Sequence, residues 1–346
     1  MEGSDGPGRS LSVRQLVESA RERCEPSSVR LYLGAVSRTL GYPASYRRRI
    51  DEKVGFWPGP PDDTHSKKWL KGESGSIHPS VFSEQLERFS RFFTDATLLS
   101  MKEMEWDLIL AYQPIIDEAE HQFLLQSPRQ LVKEPQKVAE SRRVVVDSYG
   151  VADIALARLI EALPADAALV ATGDHGLYPV DKNVRLNRLL VDWGYATLDG
   201  DHLAETSRWV AFTSGSFAHI YSFAPFTEDD RSVLIKKLRE LRDDEGEKVF
   251  ELVRARAESD HRHLGEILVA AYPRFGFGSS LKEGPIFTKT DYFGAHGGLN
   301  HHPEYHTTLV AYGHRVKRQL IERISQTAIA RYVSQLMSIE APREAE

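Results

Sequence analysis

Between Trp106 and Thr172 the sequence sets out a short apolar run, WDLILAYQ (106–113), a long helical stretch from about Ala139 to Leu163, and a second short apolar run, AALVAT (167–172). Apolar runs of this length, without alternation, suit strands covered on both faces. Two such strands joined by a helix form a βαβ unit. The expected fold is therefore α/β, a mostly parallel sheet covered by helices on both faces. A third run, HTTLVAYG (306–313), repeats the pattern, and ISQTAIARYVSQLM (324–337) predicts a closing helix.

The flanking segments add detail. Leu11, Leu16 and Val17 give LSVRQLVESARER (11–23) helical spacing, and Phe82, Leu86, Phe89, Phe92 and Phe93 predict a helix over 80–102. Residues 41–75, rich in Gly, Pro and charge, predict a surface excursion in which Phe56 and Trp57 seek burial. From Leu177 to about Gly294 the character changes. RWVAFTS and FAHIYSF alternate like antiparallel strands, a charged stretch at 227–260 has helical spacing, and GEILVAAYP predicts a further strand. This predicts a smaller α+β insert or cap at about 195–290, within one catalytic core spanning 1–346.

Composition narrows the chemistry. A net charge of −6 gives no global field for nucleic acid. Cys24 is the single cysteine, which excludes an internal disulfide and a thiolate metal cluster. A metal must then be held by His and carboxylates, which favours zinc or a similar divalent ion. No apolar stretch reaches membrane-spanning length, and the N-terminus carries no secretory signal. Localisation and oligomeric state are left open.

Three segments carry candidate ligands. IIDEAEHQF follows the first apolar run and places Asp117 and His121 four residues apart. VATGDHGL follows the second and sets Asp174 beside His175. GAHGGLNHHPEYH brings His296 ahead of a glycine pair, with His301, His302 and His306 behind it. Each motif alone has a plainer explanation: a helix-capping acid, a turn Asp, a solvated or hydrogen-bonded imidazole. Their placement argues for more, because functional groups in α/β sheets gather at the carboxyl ends of strands. Mixed His and Asp ligands on separate loops can hold two divalent ions about 4 Å apart, an arrangement suited to phosphate esters.

LILAYQPIIDEAEH, VATGDHGLYP and YFGAHGGLNHHPEYHTTLVAYG, in that order, resemble the metal-binding segments of the type I phosphodiesterase/nucleotide pyrophosphatase family, within the alkaline phosphatase superfamily. FWPGPPD (56–62) and the closing helix resemble further family segments, so the resemblance runs from about Gly55 to the C-terminus. It implies a metal-dependent hydrolase of phosphodiesters or nucleotide pyrophosphates, with a small-molecule phosphate ester or nucleotide as substrate. It implies two divalent ions, zinc first. Asp117, His121 and His296 would hold one, and Asp174 with His175 part of the other.

The family pattern also requires an early Asp, as a ligand of the second ion, and a threonine nucleophile. Neither is found. Ser4–Arg9 contains Asp-Gly with no strand leading into it, the first threonine is Thr39, and Thr172 reads as a structural hydroxyl. The expectation is a catalytic core lacking its N-terminal part, with an incomplete second metal site and no assigned nucleophile. Two alternatives stand: a non-catalytic metal-binding relative serving as a binding or structural module, and a sulfatase, phosphonate hydrolase or phosphomutase relative.

Overall fold

The computed structural model describes residues 2–4, 10–12, 37, 39–290 and 292–343. The chain divides into two compact units, Met1–Gly59 and Pro60–Glu346.

In the first unit, β1 (Glu2–Ser4) pairs antiparallel with β2 (Ser10–Ser12). Leu11 therefore sits in a strand, and the rest of the helix predicted at 11–23 lies outside the described residues. Helix α1 (Ala44–Lys53) follows Pro43. Ser37 N–H donates to the Trp57 carbonyl at 3.1 Å, and Thr39 N–H donates to Asp51 Oδ1 at 3.1 Å. Phe56 remains 52% exposed, against the burial expected of it.

The second unit begins with α2 (Asp63–Lys71), where a surface excursion was expected. Local signals explain the helix. Asp62 caps it by accepting from His65 N–H, and Gly72 ends it with φ +73°, a left-handed conformation that suits glycine. Helices α3 (Pro79–Glu103), α4 (Ile115–Phe123) and α5 (Pro135–Glu161) pack on one another. Phe82 meets Phe123 edge to face at 4.9 Å, and Leu86, Phe89, Ile115 and Ala119 are buried around them.

WDLILAYQ is not a strand. Residues 106–113 run without regular structure, and Leu110 is 89% exposed. An apolar run becomes a strand only where a neighbouring strand takes up its backbone groups. None of the described strands pairs with this one. The second run does form β3 (Ala168–Thr172), half-buried rather than fully covered.

Strands β4 (Tyr178–Pro179) and β5 (Lys182–Val184), helix α6 (Leu186–Asp192) and the short ribbon of β6 (Leu198–Asp199) with β7 (His202–Leu203) follow. Then β8 (Trp209–Ser214) and β9 (Phe217–Ser222) form the expected antiparallel hairpin. Helix α7 (Glu228–Glu240) opens with a capping box between Thr227 and Asp230.

The helical spacing of the charged stretch does not persist to residue 260. Gly246 turns the chain with φ +81°, and Phe250–Ala255 forms strand β10. With β11 (Ile267–Ala271), buried at every position, these strands make a four-stranded antiparallel sheet in the order β10–β11–β9–β8. Trp209, Ile220, Leu234, Leu238 and Val269 form its core, with α7 packed against β10.

Strand β12 (Phe275–Phe277) pairs with β5 in parallel, and β13 (Phe287–Lys289) pairs with it antiparallel. Strand β14 (Gly294–Ala295) pairs antiparallel with β4. Strand β15 (Leu309–Gly313) pairs antiparallel with β3, from Leu309 opposite Thr172 to Gly313 opposite Ala168. Helix α8 (Ala328–Met337) closes the described chain. Among the described residues the mostly parallel sheet is therefore not formed: β12–β5 is the one parallel pair, and the strands fall into six small sheets.

Two buried polar networks fix the loops around the site. Gln130 Nε2 donates among the carbonyls of Leu124, Val180 and Phe293 at 2.8–3.1 Å, while its Oε1 accepts from Gln126 and Ser127 N–H. Lys182 Nζ reaches Asp243 at 2.7 Å and Glu245 at 3.1 Å, and Arg274 pairs with Asp181 and Glu247 beside it.

Candidate metal centre

Asp117 stands in the first turn of α4 and His121 one turn later, so the i, i+4 spacing puts both on one helix face. His121 Nε2 lies 3.2 Å from Asp117 Oδ1. The other ring nitrogen, Nδ1, lies 2.7 Å from the Gly294 carbonyl, which fixes it as the protonated one. Phe293 N–H also donates to the His121 carbonyl, tying the α4 end to the entry of β14. Gly294 must be glycine for this approach: a Cβ there would fall 2.6 Å from the Glu120 carbonyl oxygen.

His175 sits on the turn after β3. Gly176 N–H donates to the Tyr305 carbonyl at 3.0 Å, and a Cβ at Gly176 would lie 2.2 Å from the Glu304 carbonyl oxygen. The turn is thereby pressed against the loop that follows His296. Asp174 accepts from His175 N–H at 3.1 Å, and its side chain is 72% exposed. His296 follows β14, and its carbonyl accepts from Ser216 N–H in the β8–β9 turn at 2.7 Å.

The three motifs meet. Asp117, His175 and His296 each offer one ligand atom, all within 4.8 Å of one another. The His175 and His296 rings stack at 3.8 Å, and the His121 ring is 5.2 Å from that of His296. The grouping crosses the division expected from sequence: His175 stands with Asp117 and His296, while His121 touches Asp117 and Asp174 lies at the rim. His306 is elsewhere, its Nε2 bonded to the Asn300 carbonyl at 2.7 Å. His301 and His302 pair with Glu251. Thr172 donates to the Gly173 carbonyl, a structural role.

The electrostatics match the donor set. Burial would raise the Asp117 carboxyl, but the hydrogen bond and charge of His121, helped by His175 and His296, hold it below the usual carboxylate range. Burial would lower His121, yet Asp117 and the Gly294 carbonyl bring it above the ordinary imidazole value. Burial and the neighbouring His175 and His121 push His296 down, which keeps it neutral as a ligand must be. His175 Nδ1 is buried without a hydrogen-bond partner, and His121 Nε2, 3.2 Å away, is the neighbour of buried Asp117 Oδ1. A carboxylate and two imidazoles that bring ligand atoms within 4.8 Å of one another are a donor set that a cation would satisfy, so the residues present fit a divalent metal.

Tyr292 is a site residue that sequence reasoning missed. Its hydroxyl lies 3.0 Å from His121 Nε2, and its ring stacks on that imidazole. Burial first, then Asp117 and Glu118, raise its pKa, so it stays protonated. The aromatic four residues ahead of His296 was the available signal. A cleft of about 620 Å³ opens beside it, lined by Tyr292 and Ala295 on one side and by Asn183, Thr213 and Lys282 on others.

No curated protein matches the chain. A family model, type I phosphodiesterase/nucleotide pyrophosphatase, matches residues 23–299. The match begins upstream of Gly55, takes in the first two metal motifs and the His296 part of the third, and stops before the HHPEYH segment. With most of its length so matched, the chain belongs to the type I phosphodiesterase/nucleotide pyrophosphatase family of hydrolases, whose α/β fold is of the alkaline phosphatase class.

Proposed function

We propose that the chain binds a divalent ion, zinc first, through Asp117, His175 and His296, in a centre built for hydrolysis of small phosphate esters of the phosphodiester or nucleotide pyrophosphate type. The observation that carries this is the convergence of the three ligand atoms within 4.8 Å. With His121 and Asp174 these residues make up the five-residue set of a two-ion site. A bound ion supplies charge neutralisation for phosphoryl oxygens. The chain's own groups do the rest. Gly294 holds the His121 tautomer, the Tyr292 hydroxyl donates to His121 Nε2 and orients that ring, and Lys282 offers a cation to an anionic ester.

In this reading residues 195–290 are an insert that walls the cleft. The chain binds metal without turning over ester, because among the described residues the one hydroxyl shown bonded to the cluster is a tyrosine. The same observation favours the second reading, a metal-binding relative without catalysis. Metal analysis after dialysis tests the proposal: His296→Ala and Asp117→Asn should each lose one equivalent of zinc. Full retention of zinc by both variants would refute it.

A further inference from the structure

Glu251, His301 and His302 form a second cluster outside the centre described above. His301 Nε2 lies 2.9 Å from Glu251 Oε1, and His302 Nε2 lies 2.8 Å from Glu251 Oε2. The two imidazoles are 4.2 Å apart between ring centroids, and one ligand atom from each of the three residues falls within 4.8 Å of the others.

The backbone presents these groups from two independent elements. Strand β10 is at the edge of its sheet, and its register with β11 skips between Phe250 and Leu252, leaving Glu251 as the extra residue of a bulge. Such bulges redirect a side chain out of the regular alternation. On the other side, His302 N–H donates to the Leu299 carbonyl and Tyr305 N–H to the His302 carbonyl, a tight turn that sets adjacent histidines side by side. Tyr305, buried beneath, backs the turn.

We propose that Glu251, His301 and His302 bind a second divalent transition ion, zinc being the best match, and that the ion clamps the loop carrying His296 to the edge of the four-stranded sheet. Two imidazoles and one carboxylate are a zinc donor set that leaves a fourth position for water. Glu251 is nearly covered, which holds the carboxylate in place. His301 is 59% exposed at its side chain, which gives the ion an entry path and the water a place to stand. Without an ion each imidazole meets its own oxygen of the one carboxylate; with one, all three groups serve a single centre.

The test uses the full chain with the first centre disabled by Asp117→Asn and His296→Ala. We expect this variant to retain one equivalent of zinc after dialysis, and its thermal midpoint to rise with added zinc. Adding His301→Ala, at an exposed position that folding tolerates, should remove both effects. Glu251→Gln should weaken zinc binding at least about tenfold, the range for groups that tune a metal site. Cobalt substitution provides a readout independent of stability, as paramagnetic shifts of the His301 and His302 ring protons. Absence of zinc from the first-centre variant, or zinc binding indifferent to His301→Ala, would overturn the proposal.

Discussion

The imidazoles of His175 and His296 lie face to face, ring centroids 3.8 Å apart and planes 17° from parallel. Neutral rings can stack in this way, whereas two imidazolium ions so close would repel. The depressed pKa of His296, caused by burial and then by His175 and His121, keeps that ring in the ligating state. If both rings serve one ion, losing either should be as damaging as losing both. His175→Ala and His296→Ala are each expected to raise the zinc dissociation constant of this centre more than about 100-fold, beyond what outer partners contribute. Calorimetric titration of the singles and the double variant measures this, and additive losses would contradict a shared ion.

Turnover separates a metal centre from a working hydrolase. Zinc-loaded protein should leave a nitrophenyl phosphodiester essentially untouched, because among the described residues the one hydroxyl bonded to a side chain of the cluster is that of Tyr292. Rapid, chelator-sensitive release of nitrophenolate would show that the chain supplies a nucleophile and would contradict the expectation.

The glycines of the His175 turn are tested sterically. A Cβ at Gly176 would lie 2.2 Å from the Glu304 carbonyl oxygen and 2.8 Å from that of His306. Gly176→Ala must push the turn off the loop behind His296, at a cost of about 2 kcal/mol, in the range for overpacking. Urea denaturation reads the stability, and zinc affinity should fall in parallel because His175 moves with the turn.

Acid stability follows from the Lys182 network. Burial raises the Asp243 carboxyl, but hydrogen bonds from Lys182 and from the Glu247 and Glu245 N–H groups more than offset it, so its folded pKa is depressed. A depressed carboxylate stabilises fully above its unfolded pKa of about 3.9, and that contribution is lost as pH falls toward the folded value. Urea midpoints should therefore drop as pH is lowered below about 4. Asp243→Asn should flatten this slope and cost about 2 kcal/mol at neutral pH, less than a lone buried pair because Asp244 and Glu245 remain on Lys182.

Helical periodicity made α3 and α5 readable, because each buries one stripe against the other. Alternation in RWVAFTS and FAHIYSF did the same for the β8–β9 hairpin. The run 106–113 misled because hydrophobicity reports the wish for burial and not the presence of a strand neighbour. At the site, spacing made Asp117, His121, Asp174, His175 and His296 legible as candidates. Which of them share a point depends on how three loops cross, and that lies in close contacts such as Gly176 on Glu304 rather than in any local pattern. Glu251 was illegible for a sharper reason: a bulge breaks the alternation by which a strand residue's direction is read.

Gln130 shows how little freedom such a crossing leaves. One buried amide serves the backbones of five residues, its nitrogen shared by three carbonyls and its oxygen by two N–H groups. Glutamate would keep the acceptor and forfeit the donors, and methionine would forfeit both. The carbonyl of Phe293, whose own N–H bonds to His121, is among those it anchors. The metal centre therefore inherits its alignment from a residue that carries no charge and touches no ligand, and a drift of sequence there would detune the site while every ligand stayed in place.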